Sequence, residues 1–191
     1  MSVEIWTWPV SKGLAFSPIT GRIEPGTPPR LLKVVQADSL RGVDLSHSDL
    51  FHADFSFHDL TGANLAHRKL MCACLEGAIL KGANLEGAKL VLADLSDAIL
   101  EDADMQRVYA LEATMRRARF WGADLRGAIL GRVFLCGADL RGARLEGTVL
   151  KGSYYDEGTQ WPEGFDVVEA GCMHISTYRR EDRPRHGCSE A

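Results

Sequence analysis

Bulky apolar residues recur at every fifth position along most of this chain, from Leu40 to Tyr155. Of the 24 positions in the series, 18 are Leu and five are Phe, Met or Tyr, and Ala110 is the one small residue. Ala stands two residues before 15 of these positions, and Gly stands two residues after 11 of them. A strict short period of this kind predicts a solenoid, in which one small unit is stacked many times.

The order of residues within each unit predicts short strands joined by tight corners. If the bulky residue is position i, alternation along a strand turns positions i−2 and i inward and positions i−1 and i+1 outward. The inward positions are mostly Ala and Leu, the outward ones are mostly polar, and the frequent Gly at i+2 suits a corner. A helix is excluded because a step of five residues does not keep one face of a 3.6-residue helix aligned.

The clearest units read Ala83-Asn84-Leu85-Glu86-Gly87 and Ala138-Asp139-Leu140-Arg141-Gly142. This pattern resembles the pentapeptide-repeat family over residues 38–155. The resemblance implies an all-β fold, a right-handed quadrilateral β-helix with four pentapeptides, or about 20 residues, in each coil. On that geometry the repeats make about six coils and a tube roughly 29 Å long.

The ends of the chain are expected to protect the terminal coils, whose edges would otherwise be unpaired. Residues 1–37 are interpreted as an N-terminal cap or extension, in which a strand or hairpin covers the first coil. Residues 156–175 are interpreted as a C-terminal capping segment, with Trp161 and Phe165 plugging the last coil. The polar residues 176–191 are predicted to be a disordered tail.

Composition favours a cytoplasmic protein. The chain has a formal net charge of −4, lacks a run of 18 apolar residues and does not begin like a signal peptide, so no membrane association is expected. It contains five cysteines, an odd number, and Cys72 and Cys74 are too close in sequence for an ordinary disulfide. These features indicate a reducing compartment.

One outer side of the predicted tube is apolar where the others are polar. With 20 residues in a coil, residues 20 apart stack, and the side centred on Leu50, Leu90 and Leu130 carries bulky apolar residues outside. We call these the apolar wall: Phe51, Met71, Val91, Leu92, Tyr109, Leu111, Ile129 and Val149. The flat side would measure about 460 Å², a size at which apolar patches are often functional.

The apolar wall has two other interpretations. A terminal extension could pack over it. Alternatively, the coil near Ala110 could be locally altered, with Tyr109 or Leu111 turned inward to replace the missing Leu.

Other chemistry has less support in the sequence. Eight arginines lie between residues 107 and 144, but they fall on all sides of the predicted tube, so a nucleic-acid surface is disfavoured. The tail pairs Cys172 with His174 and His186 with Cys188, yet structural zinc sites usually separate paired ligands by two or more residues. We expect no metal and no cofactor, and no enzymatic activity, because catalytic motifs and a cleft are absent from the pattern.

The predicted function is therefore a protein-interaction solenoid, which binds itself as a homodimer or binds a partner protein through the apolar wall. The family resemblance supplies an alternative, because its best-known members mimic DNA and bind type II topoisomerases such as gyrase. Mimicry of DNA over 29 Å would require about 17 negative charges. Residues 38–155 contain 16 acidic and 14 basic residues, a net charge of −2, which disfavours that alternative.

Overall fold

The computed structural model describes residues 3–7, 30–35, 40–45 and 50–178. The strands are β1 Val3–Thr7, β2 Arg30–Val35, β3 Ala53–Asp54, β4 Tyr154–Tyr155 and β5 Met173–His174, and a short 3-10 helix spans Ile175–Thr177. No α-helix occurs within these ranges. Residues 179–191, most of the predicted disordered tail, lie outside the described residues.

Most of the described chain is a repeat β-helix built from single bridges between successive coils. Parallel bridges join residues 20 apart, as between Asn64 and Asn84, and this register is kept along the repeats. It changes between Asp139 and Gln160, which are 21 apart, where the chain leaves the repeat. One coil therefore contains four pentapeptides.

In the unit 63–67 all five backbone N–H groups have an acceptor. The N–H groups of Leu65 and His67 each donate at 2.7 Å to a carbonyl of the following coil, and that of Asn64 donates at 2.8 Å to a carbonyl of the preceding coil. The N–H of Ala63 donates at 2.9 Å to a carbonyl of the preceding pentapeptide and so closes the corner between the two units. The remaining N–H, on Ala66, donates to the side-chain Oδ1 of Asn64 at 3.2 Å.

The last of these bonds explains why Asp or Asn so often precedes the bulky residue. Its side-chain oxygen accepts the one N–H that neither neighbouring coil can satisfy, and an unsatisfied backbone donor is costly. The same contact recurs at Asn84, Asp94, Asp104, Asp124 and Asp139. At Asp139 the carboxylate also binds the guanidinium of Arg141, 2.7 Å from Oδ2 to Nη2, and this hydrogen bond lowers the pKa of Asp139.

The interior is filled as the sequence predicts. The Leu and Ala positions of the repeat are fully buried along nearly the whole solenoid. At Ala110 part of the missing volume is replaced from the same unit, because Val108 occupies the inward position that is usually Ala, and both residues are fully buried. The interpretation of a locally altered coil is therefore wrong. Tyr109 remains on the outside, with 38% of its surface exposed, and keeps the regular register.

Each described corner residue before the last unit of the repeat, two places after the bulky one, adopts left-handed backbone angles. From residue 42 to residue 152 these φ values lie between 54° and 76°, and 11 of the residues are not Gly. A non-Gly residue in this conformation costs about 1–2 kcal/mol. The corner geometry is thus imposed by the stacked coils even where the sequence does not favour it.

Extra structure contacts both ends of the solenoid. At the N-terminal end β1 pairs antiparallel with β2 and, through Trp6 and Thr7, with β3 of the solenoid. At the other end the rings of Trp161 and Phe165 stack 5.0 Å apart, part-buried against the core. Strand β5 then pairs parallel with β4 and continues the ladder.

The corners give a direct test of backbone strain. Gly82 has φ +60° and nothing within 4 Å of the position that a Cβ would occupy, so Gly82→Ala changes backbone preference without a clash. We expect it to lower the free energy of unfolding by about 1 kcal/mol. Gly82→Asn is the matched control, because Asn tolerates left-handed angles, and in urea titrations it should lose clearly less. Equal losses in the two variants would contradict this explanation.

Asp139 separates the role of the side-chain oxygen from that of the charge. Asp139→Asn keeps an acceptor for the backbone N–H, whereas Asp139→Ala removes it, so the Ala variant should lose about 0.5–1.5 kcal/mol more stability at pH 7. Because folding lowers the pKa of Asp139, its charge stabilises the protein above the unfolded pKa, and this contribution is lost as pH falls through the folded pKa.

The measurement for Asp139 is the melting temperature at pH 7 and below pH 4. Acidification should lower the melting temperature of the wild type more than that of Asp139→Asn. An identical acid response of the two proteins would show that the ion pair with Arg141 contributes nothing.

Candidate functional site

The apolar wall consists of two outward columns held in register by the backbone. Bridges connect Lys69, Lys89, Tyr109, Ile129 and Val149 in the column before the bulky residue. In the column after it, carbonyl oxygens at positions 71, 91 and 111 each accept an N–H from the preceding coil, at 2.9–3.1 Å. The structure therefore brings most of the predicted residues into two adjacent columns, and Leu92 stands at the left-handed corner beside them.

These side chains remain accessible to different degrees. Ile129 is 37% and Val149 48% exposed, and Tyr109 is exposed as well. Phe51, Met71, Val91, Leu92 and Leu111 are half-buried. Phe51 packs edge-on against the ring of His52, with centroids 4.3 Å apart.

The apolar residues form a diagonal band across this surface. In the early coils they occupy the column after the bulky residue, and in the later coils they occupy the column before it. The crossover lies at Leu111, whose Cδ2 comes within 2.9 Å of the position that a Cβ on Gly131 would take. Because Gly131 lacks a side chain, Leu111 lies flat over the next coil and the band is continuous.

Lysines occupy the remaining positions of the two columns. Lys69 and Lys89 stand beside the early part of the band and Lys151 beside its end, and all three are exposed. Within the described part of the chain none of the three forms an ion pair. The only positive charges in these columns are therefore uncompensated.

The arginine-rich coils are compensated instead. Seven of the eight arginines between residues 107 and 144 pair with a carboxylate: Arg107–Glu86, Arg117–Asp97, Arg119–Glu101, Arg126–Asp124, Arg132–Glu112, Arg141–Asp139 and Arg144–Asp124. The eighth, Arg116, lies over the ring of Phe134 at 5.3 Å. Hydrogen bonding to Arg117 lowers the pKa of Asp97, and hydrogen bonding to Arg126 lowers that of Asp124. This arrangement does not leave a basic surface for nucleic acid.

The sequence analysis missed an aromatic cluster on another surface. Phe134 and Tyr154 stack 5.2 Å apart, and the ring of Tyr178 packs edge-on against both of them. The stacking of Phe134 on Tyr154 could have been found, because they are 20 residues apart. Their covering by Tyr178 could not, since it depends on where the chain returns after the last coil.

Two further aromatic residues are exposed outside the apolar wall. Phe57 is 73% exposed at a left-handed corner, where its ring occupies the space above Gly77. Trp121 is 57% exposed and leans against Gly142. Both stand at single positions whose stacked neighbours are small or charged, so no column pattern marks them.

The possible metal ligands of the tail have other contacts. The thiol of Cys172 faces the carbonyl of Leu150 at 3.8 Å, and burial raises its pKa to about 11. His174 contacts the hydroxyl of Ser176 at 2.8 Å and the carboxylate of Glu157 at 3.1 Å. His186 and Cys188 lie outside the described residues, and the described part of the chain contains no cluster of ligands suited to a metal ion.

The described residues contain no helix with the length and apolar character needed to cross a bilayer.

Comparison with known proteins places the repeats in a family. The family model for pentapeptide repeats matches eight copies, over residues 39–65, 69–107, 93–132 and 118–154. No curated protein sequence matches the chain.

Solved structures of pentapeptide repeat proteins also match. Rfr23 from the cyanobacterium Cyanothece 51142 is 38% identical over 55% of this chain and 64% of its own length, with a TM-score of 0.27. The protein alr5209 from Nostoc Pcc 7120 is 33% identical over 61% of this chain and 84% of its own, with a TM-score of 0.23. Full-length QnrB1, a plasmid-mediated fluoroquinolone resistance protein, is 21% identical over 63% and 79% of the two chains, with a TM-score of 0.32.

The 20-residue bridges, the buried Leu and Ala positions and the eight matched copies all point to one assignment. This chain belongs to the pentapeptide repeat family.

Proposed function

We propose that this protein is a non-enzymatic interaction solenoid that binds protein, a second copy of itself or a different chain, through the apolar wall. The observation that carries the proposal is the continuous band from Met71 through Leu111 to Val149, which lies in register on one surface. Large apolar side chains at the centre of a flat surface are typical of interaction sites.

The proposal includes the finer geometry and the division of the chain. We infer a right-handed tube with four sides and about six coils, which the 20-residue register supports. Residues 1–37 and 156–175 would cap it, as the pairing of β1 with β3 and the packing of Trp161 and Phe165 suggest. We place the protein in the cytoplasm, because its free thiols suit a reducing compartment.

Mimicry of DNA is the second candidate, and the arrangement of charges does not favour it. A DNA mimic needs a stripe of uncompensated negative charge. Here the carboxylates of Glu86, Asp97, Glu112, Asp124 and Asp139 are each held by an arginine. The likeness to QnrB1 transfers no activity to this chain.

Substitutions in the apolar wall test the proposal. Val91→Glu and Leu111→Arg place a charge in the contact surface, and each should abolish association with a second copy or a co-purified partner, as measured by light scattering and pull-down. Because these side chains point outward, the melting temperature should stay within a few degrees of the wild type. Unchanged assembly in both variants would contradict the proposal.

Leu85→Asp is the control for loss of fold in this experiment. Leu85 is fully buried, so a carboxylate there is left without a partner inside the tube. We expect this variant to unfold or aggregate, which distinguishes loss of the core from loss of the contact surface.

A gyrase assay tests the alternative. We expect supercoiling by gyrase to be unaffected at micromolar concentrations of this protein, because its negative charges are compensated. Inhibition of supercoiling that survives Leu111→Arg would favour DNA mimicry over the apolar wall.

A further inference from the structure

The apolar wall is small for contact between two folded domains. A side of about 16 by 29 Å offers roughly 460 Å², whereas a stable protein–protein complex buries about 800 Å² on each partner. A single α-helix is about 10 Å wide and rises 1.5 Å per residue, so roughly 19 residues would extend along the whole tube. The dimensions therefore fit one helix better than a second solenoid.

The spacing of the side chains leads to the same conclusion. Successive coils place the wall residues about 4.8 Å apart along the tube. A helix presents its apolar residues about every 5.4 Å, and a strand presents residues of one face about every 6.7 Å. Over five coils the mismatch reaches about 3 Å for the helix and about 10 Å for the strand. A modest tilt, in the direction of the diagonal band, shortens the helix's projected spacing further.

Charge then distinguishes between the possible occupants. The described residues of the two columns carry Lys69, Lys89 and Lys151, and the sequence adds one acidic residue, Asp49, at the position before Leu50. Three lysines against one acidic residue leave these columns net positive, so two copies facing each other would repel. The chain's own ends do not supply an acidic segment either. Residues 8–29 contain two basic residues and one acidic residue, and residues 179–191 contain four arginines and three acidic residues.

We propose that the apolar wall binds an amphipathic α-helix of another protein, whose apolar stripe is flanked by acidic side chains. This inference rests on the proposed function and specifies its partner. The apolar stripe contacts Val91, Leu111 and Ile129, and the acidic side chains lie against Lys69 and Lys89. No other described outward surface combines a continuous apolar band with unpaired lysines.

The test uses the full-length protein and two fluorescein-labelled synthetic peptides of 18 residues. Both carry the same Leu stripe at helical spacing, and Glu flanks the stripe in one peptide where Lys flanks it in the other. In anisotropy titrations at low salt, the Glu peptide should bind at least about tenfold more tightly, and the difference should shrink as salt screens the charges. A Glu peptide of the same composition with the stripe scrambled should not bind.

Variants assign the binding to the wall. Lys69→Glu combined with Lys89→Glu should reverse the preference between the two peptides, while Leu111→Arg should weaken both. Lys81→Glu is the matched control, because Lys81 pairs with Glu101 away from the wall, and it should leave both affinities unchanged. Circular dichroism and melting curves verify that each variant is folded.

The outcomes separate this inference from the proposed function. Equal binding of the Glu and Lys peptides, lost in Leu111→Arg, would overturn the acidic partner and leave the apolar wall as a binding surface. Binding of neither peptide would overturn the helical partner. A dimer of twice 21.0 kDa that dissociates in Leu111→Arg would show that a second copy occupies the apolar wall. That result would also overturn the helical partner.

Discussion

The ladder of backbone hydrogen bonds between successive coils, which pairs residues 20 positions apart as bridge partners, is the constraint on which this structure depends. It fixes where each coil lies, turns Leu and Ala inward and sets the left-handed corners. Eleven non-Gly corner residues adopt these angles against their own preference, which shows that the ladder outweighs local propensity. The inside of the tube is therefore nearly uniform, and the outward columns are where one member of the family can differ from another.

In most of these outward columns the polar side chains bind partners within the solenoid itself. Asp and Asn accept a backbone N–H of their own unit, and arginines bind carboxylates within the same coil or one coil away. Such exposed ion pairs add little stability individually, but they leave the surface without a strong charge of either sign. The apolar wall is different, because its residues form a continuous band and the lysines beside it form no ion pair with any described residue. That contrast is the basis of the functional proposal.

The sequence predicted the repeat, the inward positions and which residues stack in the outward columns, because each follows from counting in steps of five and twenty. It did not predict how Val108 compensates for Ala110 or how Leu111 lies over Gly131, since both depend on three-dimensional packing. The sequence did not predict the ion pairs between arginines and carboxylates either, because a long flexible side chain can turn to several neighbours. The cover of Tyr178 over Phe134 depends on the path of the chain after the repeats, where the five-residue period ends.

Site-specific photo-crosslinking is the most direct test of the claim that one surface of this solenoid binds protein. A photoreactive phenylalanine would be placed at Val91 and Ile129 in the apolar wall, and at Gln106, an outward position elsewhere, in cells that produce the protein. The account predicts discrete protein adducts from positions 91 and 129 that are absent from position 106 and lost when Leu111→Arg is added. Adducts that form equally from all three positions, or that survive Leu111→Arg, would contradict it.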